Sequence, residues 1–495
     1  MELPNFLKNV INQVEEAGHE IFIVGGSVRD FLMNVEPKDW DLTTNAEPEE
    51  IMAIFPDARY ENAFGTVILP IKNGDLTEHV VEITTYRSEQ GYSDRRRPDQ
   101  VVFEKELEKD LARRDFTINA LAMKCADSKI QITEEIAPYQ SRVDNFIIID
   151  LFGGQKDIRK KIIRAVGEPI DRFKEDSLRM MRAIRFLAQL DFEIEPKTER
   201  AIVKMSGAIK FVAQERMKDE LTKILKSDRP YDGIKALHKT NILQYIIPEL
   251  ASGEGVNQAH HHVHDVLKHN LLSLKHCPSK EWQVRLAALF HDIGKPKSMK
   301  IIDSQPTFYN HEYIGSKMVD KIMKRLKFSN DDTARVVNLV RNHMFYYNAG
   351  EVTEHSVRKL VAKAGKENLK DLIDLRIADR LGSDVKKGKP YKLRHLEYMM
   401  EKVQHDPVSV KELKINGLDL MELLKIQPSP KIGQILDVLL SEVLEEPERN
   451  NLEYLQQRSI ELDKMDLEEF RLKAKALIEE KRVMDDRELK KDFKV

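Results

Sequence analysis

FIVGGSVRDFLMNVEPKDWDLTT, residues 22–44, decides how the first part of the chain reads. The β-branched run EIFIV (Glu20 to Val24) has the composition of a buried strand. It meets Gly25 and Gly26, where an amphipathic helix begins. Glycine lets backbone approach a ligand closely. A helix N-terminus adds unpaired N–H groups and a positive dipole end, which suit phosphate. Arg29 falls in the first helical turn and adds charge. Asp39 and Asp41 then stand at i and i+2, a spacing that on a strand turns both carboxylates to one face. Two hard oxygen ligands side by side suit Mg²⁺ carrying a nucleoside triphosphate. A two-metal arrangement can activate an attacking hydroxyl and stabilise a leaving pyrophosphate. Glu82, in VVEITTYR, lies on a neighbouring strand and is a candidate third carboxylate. Each feature alone is common: Gly-Gly often precedes a helix, and Asp-x-Asp arises by chance in loops. Their order, followed by LARRDFTINALAM from Leu111, is far more specific.

Outward from that stretch, GTVILPI (65–71) and HVVEITTYR (79–87) also read as strands, so the first part of the chain mixes strand and helix. After about Asp150 the pattern is almost wholly helical, as in EDSLRMMRAIRFLAQL and ERMKDELTKILKS. The 495 residues predict several domains. The expected division is an α/β head over 1–145, a helical neck over 146–228, a body over 229–388 and a helical tail over 389–495, with breaks near KSDRP (226–230) and KKGKP (386–390). The charged ending EEFRLKAKALIEEKRVMDDRELKKDF reads as helical, either a solvated surface helix or a frayed one. A net charge of −3 excludes a global basic field, so any nucleic-acid surface is a local patch. The two cysteines, Cys125 and Cys277, lack metal-knuckle spacing, exclude a disulfide framework and fit a reducing compartment. No signal-peptide core is visible, and no apolar run approaches the ~20 residues needed to span a bilayer. The expected location is the cytoplasm, with no membrane partner.

GGSVRD, DWD, RRDFTINALAM, LFGGQKDIRKKIIRAVGEP and EDSLRMMRAIRF appear in that order over about the first 230 residues. This series resembles the class II tRNA nucleotidyltransferase and bacterial poly(A) polymerase family. The resemblance implies a polymerase-β-like nucleotidyltransferase head followed by a mostly α-helical neck, body and tail. It implies metal-binding aspartates at Asp39 and Asp41, and nucleotide contacts at Gly26, Arg29, Arg113, Arg114 and along the helix Asp176 to Arg185, where Arg182 and Arg185 continue at the same helical spacing and reach toward phosphates. The basic, turn-rich segment RSEQGYSDRRRPDQVVF (87–103) resembles the family's flexible loop, associated with the switch from adding C to adding A. Arg95 stands where the family pattern has glycine, which would stiffen that loop.

EDSLRMMRAIRF also reads physically. Asp176 and Arg179, three apart on a helix, share a face. An ionised Asp only accepts hydrogen bonds and an Arg only donates them. Cytosine and adenine each set an exocyclic amino donor beside a ring-nitrogen acceptor, so one Asp–Arg pair satisfies both. Guanine and uracil reverse the pattern and leave buried polar groups mismatched, which discriminates by several powers of ten. The plainer reading is an arginine-rich amphipathic helix whose apolar face is Leu178, Met181, Ile184 and Leu187; one helix can be both.

A second constellation runs from about Gln258 to Asp384: HDVLKHNLLSL, LAALFHDIGKPKS, YNHEYIGSKM, VRNHMFYY and RIADRLGSD. Adjacent His-Asp on an apolar helix is expensive unless something binds it, and imidazole with carboxylate suits a divalent metal. The order resembles the HD phosphohydrolase domain. That resemblance places metal ligands at His269, His291, Asp292 and Asp379, a second metal at His311 and His343, and a phosphate contact at Lys295. His260, His261, His262 and His264 read as surface or substrate contacts. The segment Leu413 to Leu444 resembles the family's C-terminal region, with Gly417 and PSPKIG as turns between helices and a role in holding tRNA.

The expected function is template-independent addition of CCA to the tRNA 3′ end from CTP and ATP with Mg²⁺, with a metal-dependent phosphohydrolase activity at the second site on a phosphoester such as a 2′,3′-cyclic phosphate. An A-adding tRNA enzyme, a poly(A) polymerase, and an RNA-binding protein with an inactive head and a working HD site stand as alternatives.

Overall fold

The stretch from Phe22 to Thr44 folds as its pattern requires in a computed structural model that describes residues 2–37, 39–62, 65–73, 76–90, 100–126, 139–258, 264–348, 351–404, 410 and 413–495. Strand β1 (Ile21–Val24) is buried at every residue and stops at Gly25. The helix Gly26–Leu32 begins at once, and β2 (Trp40–Thr44) returns antiparallel to β1. Then come β3 (Arg59–Asn62), β4 (Thr66–Asn73), β5 (Leu76–Thr85), the ribbon β6 (Arg87–Gln90) with β7 (Gln100–Phe103), and β8 (Ala122–Cys125), β9 (Gln140–Val143) and β10 (Phe146–Ile149). Among the described residues one mixed sheet runs β3-β4-β5-β2-β1-β8-β10-β9, and β6 pairs with β7 apart from it. β2 and β5 are parallel. Parallel neighbours need a crossover, which the helix Pro48–Ile54 and the β3–β4 hairpin supply.

A core of Phe22, Val24, Tyr86, Leu107, Leu111, Ala122 and Ile149 packs the short helix Leu107–Ala112 against this sheet. That packing fixes where Arg113 and Arg114 leave the helix. The expected end of the head at residue 145 falls just before β10, which is buried throughout and pairs with β8 and β9.

The chain divides into two compact units, Met1–Arg341 with Gly382–Asp384, and Asn342–Leu381 with Val385–Val495. The break expected near 386–390 falls just after the last passage of the chain between the two units, at Asp384 to Val385, whereas the stretch 226–230 lies inside the first unit. Arg285 Nη1 donates to Leu225 O at 2.7 Å and Ser227 O at 2.8 Å, which ties the helix Trp282–Phe290 to the carbonyls at the end of the helix Gln214–Lys226. Residues 386–390 lie inside the second unit, where Lys389 pairs with Glu397 at 2.7 Å on the helix Tyr391–Gln404.

In the first unit the helix Arg179–Leu190 packs on Gln214–Lys226 and Pro230–Lys239. The helix Trp282–Phe290 is apolar and buried on nearly all sides, the composition of a central helix. In the second unit Leu420, Ile435, Leu439, Leu455 and Leu462 form a core between the helices Gly417–Leu424, Pro430–Glu445, Leu452–Asp463 and Glu468–Phe493. Gly417, expected in a turn, is instead the first residue of a helix whose N-cap Asn416 forms a capping box with Asp419. Pro430 within PSPKIG likewise opens a helix, where its missing N–H costs nothing. The charged ending is helical, as read from its composition. Among the described residues no helix is long and apolar enough to cross a membrane.

Candidate functional site

A cleft of about 830 Å³ opens in the first unit. Asp41 lies on its wall and is the one residue of β2 not fully buried. It stands in register with Val24 on β1 and Glu82 on β5. Residues paired across neighbouring strands project to the same face, so Asp41 and Glu82 both line the cleft. Asp39 does not share the strand: β2 starts at Trp40 and the last β1 partner is Asp41, because the chain of β1 turns away at Gly25. Asp39 sits exposed in the bend before it. Burial pushes the Asp41 carboxyl above its usual range, Arg114 opposes this, and Asp39 pushes it up further.

Gly25 has φ +76°, which favours glycine, and a Cβ there would lie 3.0 Å from Arg114 Nη1 and 3.6 Å from Asp41 Oδ2. The backbone at Gly25 is thus the floor over which Arg114 approaches Asp41. Arg113 and Arg114 are anchored from behind by Asp110, which is fully buried. Asp110 Oδ1 accepts from Arg113 Nη2 at 2.6 Å and Oδ2 from Arg114 Nη2 at 3.1 Å. Burial opposes the Asp110 charge, but these two guanidiniums hold its carboxyl below the usual range.

The other expected arginines are also held by the protein. Arg29 bonds Asn119 at 2.8 Å and Asp30 at 2.7 Å. Arg182 pairs with Asp115 at 2.6 Å and Arg185 with Glu220 at 2.8 Å. All three guanidiniums gather on one ring, Phe186, at 5.4, 5.9 and 4.4 Å from its centre. Among the described residues Arg114 Nε and Arg185 Nε are buried without a hydrogen-bond partner. Basic side chains outnumber carboxylates around the cleft, which makes it a site for an anion.

Asp176 and Arg179 both line the cleft, but not from one helix. One helix ends at Glu175, Asp176 is extended at φ −139° and ψ 105°, and the next helix begins at Arg179. The break arises because the Asp176 side chain accepts from Leu178 N at 3.0 Å, a local bond that competes with helix continuation. Arg179 Nη1 donates to Glu175 Oε2 at 2.6 Å, and Nη2 donates to Arg113 O at 3.0 Å. The apolar face remains as read: Met181 and Ile184 are fully buried.

LFGGQKD does not line the cleft. It props up the turn that does. Gly154 approaches Thr117 so closely that a Cβ would lie 2.2 Å from Thr117 O. Asp157 accepts from Thr117 Oγ1 at 2.7 Å and from Arg164 Nε at 3.0 Å. Residues 91–99 of the expected loop, with Arg95, lie outside the described residues, as do His260, His261 and His262.

The first unit also gathers His269, His291, Asp292 and His311, all buried. His269 Nε2 is 3.0 Å from His291 Nε2. Asp292 Oδ2 lies 3.3 Å from each of these nitrogens, and Oδ1 lies 3.2 Å from His311 Nε2. His291 Nδ1 faces Ala288 O at 2.9 Å and His311 Nδ1 faces Phe308 O at 2.8 Å. A ring whose Nδ1 faces a carbonyl carries its proton there, leaving Nε2 bare and aimed inward. Gly294 makes this convergence possible, since a Cβ there would be 2.1 Å from His311 O. Burial works against the Asp292 charge, but the Lys295 ammonium holds its carboxyl well below the usual range. Lys295 Nζ is 2.6 Å from Asp292 Oδ2 and donates to Gln258 at 2.5 Å. His264 pairs instead with Asp384 at 2.8 Å. His343 and Asp379 belong to the second unit, where Asp379 accepts from Arg376 at 2.7 Å.

Sequence reading missed the partners. Asp115 and Asn119 lie inside RRDFTIN, and their spacing from the arginine pair was the available signal. Arg216 and Glu220 lie on a helix whose pattern showed only amphipathicity. Lys223, on the same helix, also lines the cleft.

Residues 21–164 match the family described as Poly A polymerase head domain, 191–253 the one described as Probable RNA and SrmB- binding site of polymerase A, and 311–482 the tRNA nucleotidyltransferase domain 2. A CCA-adding enzyme of Limosilactobacillus reuteri is 32% identical over 92% of this chain and 96% of its own length. An A-adding tRNA nucleotidyltransferase of Deinococcus radiodurans is 30% identical over 84% of this chain and 90% of its own. The crystal structure of the Bacillus stearothermophilus CCA-adding enzyme in complex with CTP superposes with a TM-score of 0.58 at 26% identity, covering 93% of this chain and 98% of that one. With this head, this cleft and these full-length relatives, the chain belongs to the tRNA nucleotidyltransferase family of the CCA-adding enzymes.

Proposed function

We propose that this chain adds CCA to the 3′ end of tRNA, one nucleotide at a time, from CTP and ATP. The observation that carries this reading is that one cleft holds both the Asp41 and Glu82 carboxylates and the Asp176 and Arg179 pair. The reacting phosphate and the base of one nucleotide can therefore be held together. Asp39 and Asp41, with Glu82 beside them, offer the all-oxygen donor set that fits Mg²⁺, which when bound activates a hydroxyl and neutralises triphosphate charge. Arg29, Arg113, Arg114, Arg182 and Arg185 bind the triphosphate, each already oriented by its carboxylate or amide partner. The backbone at Gly25 and Gly26 lets that triphosphate lie close to the sheet. The tRNA 3′-hydroxyl attacks the α-phosphate and pyrophosphate leaves. Asp176 accepts the exocyclic amino hydrogen of cytosine or adenine, and Arg179 donates to the neighbouring ring nitrogen. No nucleic-acid template is needed, because the protein supplies the hydrogen-bonding edge.

The test uses tRNA transcripts ending before CCA, after the first C, and after CC, each given CTP and ATP, with the products sequenced. The expected result is termination at CCA on all three. Extension of the CC-ended transcript alone, by one A, would make this an A-adding enzyme like its Deinococcus relative. Long A tails would make it a poly(A) polymerase.

A second reading concerns the His269, His291, Asp292 and His311 group. Imidazole nitrogens converging on a buried carboxylate support a divalent-metal site with phosphohydrolase chemistry. The full chain purified in Mn²⁺ should retain metal after desalting and hydrolyse a 2′,3′-cyclic nucleotide, and both properties should be lost in His291→Ala. Equal metal content in wild type and variant would remove the site.

A further inference from the structure

We propose that Arg216 is a specificity-determining positioning residue that leaves Asp176 a single accepting position for the base. This rests on the nucleotide-selecting role given to Asp176 above. Arg216 is not among the residues that line the cleft. It stands in the first turn of the helix Gln214–Lys226 and reaches Asp176 from behind as a two-pronged clamp. Its Nη1 donates to Asp176 Oδ1 at 3.2 Å and its Nη2 to Oδ2 at 2.7 Å. Oδ1 also accepts from Leu178 N at 3.0 Å.

A carboxylate offers about four accepting positions, two on each oxygen. The three bonds use both positions on Oδ1 and one on Oδ2. The one left, on Oδ2, accepts a single donor from a base. Cytosine and adenine provide that donor as an exocyclic amino group. Uracil and guanine present a carbonyl oxygen there, and two acceptors then face each other without a proton between them. The clamp also stops the Asp176 carboxylate from rotating to bring another edge to the base. Lysine could not do this, because a single ammonium cannot match both oxygens at once as a planar guanidinium does. The helix that carries Arg216 packs on the helix that begins at Arg179, so the clamp and the second selecting residue are built on one helix pair.

A plain surface ion pair would behave differently. The side chains of Arg216 and Asp176 are only 27% and 16% exposed, so this pair is part-buried rather than a solvated surface pair. A merely structural role would lower incorporation of every nucleotide alike. The test measures kcat/KM of the full chain for CTP, UTP, ATP and GTP on tRNA transcripts lacking CCA and ending in CC, for wild type, Arg216→Lys and Arg216→Ala. The clamp predicts that the CTP-to-UTP and ATP-to-GTP ratios fall about tenfold or more in both variants. It also predicts that guanidinium ion in the buffer restores part of the ratio for Arg216→Ala and none for Arg216→Lys, whose ammonium occupies the space. Unchanged ratios, or an equal loss for all four nucleotides, would overturn it while leaving the CCA-adding reading intact. A wild-type chain that does not itself prefer CTP and ATP would overturn both. Arg216→Lys keeps the charge and most of the packing, so the result stands even if Arg216→Ala folds poorly.

Discussion

Asp41→Asn is expected to lower incorporation of C and of A together by about a thousandfold or more, equivalent to about 4 kcal/mol of lost transition-state stabilisation. The substitution changes charge and almost no volume, so thermal unfolding should move little. The reason for so large an effect is position. Asp41 faces the cleft and is held on both sides by the ladder, by Val24 of β1 and Glu82 of β5. An amide at that point cannot replace an anionic oxygen ligand to Mg²⁺. Arg114, which approaches Asp41 across Gly25, would also lose the charge it faces. The check is single-turnover incorporation on a CC-ended transcript at saturating ATP. Full incorporation by the variant would show that the metal is not held by Asp41.

The second large effect falls on choice rather than speed. Asp176→Asn should reduce discrimination against UTP and GTP by about a hundredfold or more. Asparagine keeps the shape but presents an amide that can donate as well as accept. It can then meet the carbonyl of uracil or guanine, which the carboxylate cannot. Leu178 N and Arg216 Nη1, which both donate to Oδ1, would still engage the oxygen side and so favour turning the new NH₂ toward the base. Sequencing of products made with all four nucleotides present would show U or G within the added ends. Ends that remain purely CCA would mean the base is chosen elsewhere in the cleft.

These two effects were legible in the sequence to different degrees. Asp39 and Asp41 announced themselves by spacing, and Asp176 and Arg179 by donor and acceptor character. The spacing arguments were wrong in local detail. Asp39 precedes its strand rather than lying on it, and Asp176 sits in a break between helices. In both cases a bond beyond the reach of a periodicity rule decided the matter: the end of β1 pairing at Gly25, and the Asp176 contact to Leu178 N. The same limit applies to LFGGQKD. Its motif order was visible, but its task of holding the Thr117 turn through Gly154 and Asp157 was not. The break expected at Lys226–Pro230 had the composition of a linker, and only the bonds of Arg285 show that turn to be tied down.

By itself the sequence determined that the chain has an α/β head with a helical remainder, where the strand, glycine turn and carboxylates fall, and that histidine and aspartate cluster a second time. Those features are local: they depend on periodicity, on residue chemistry and on spacing along the chain. The tertiary structure decided which charge faces which. Asp110 binds the two arginines behind it, Asp115 takes Arg182, Glu220 takes Arg185, and Arg216 clamps Asp176 across 40 residues of chain. A long side chain has no preferred partner until packing brings one within about 3 Å, since hydrogen bonding weakens steeply beyond that range. The identity of each pair was therefore settled by how the sheet and helices pack.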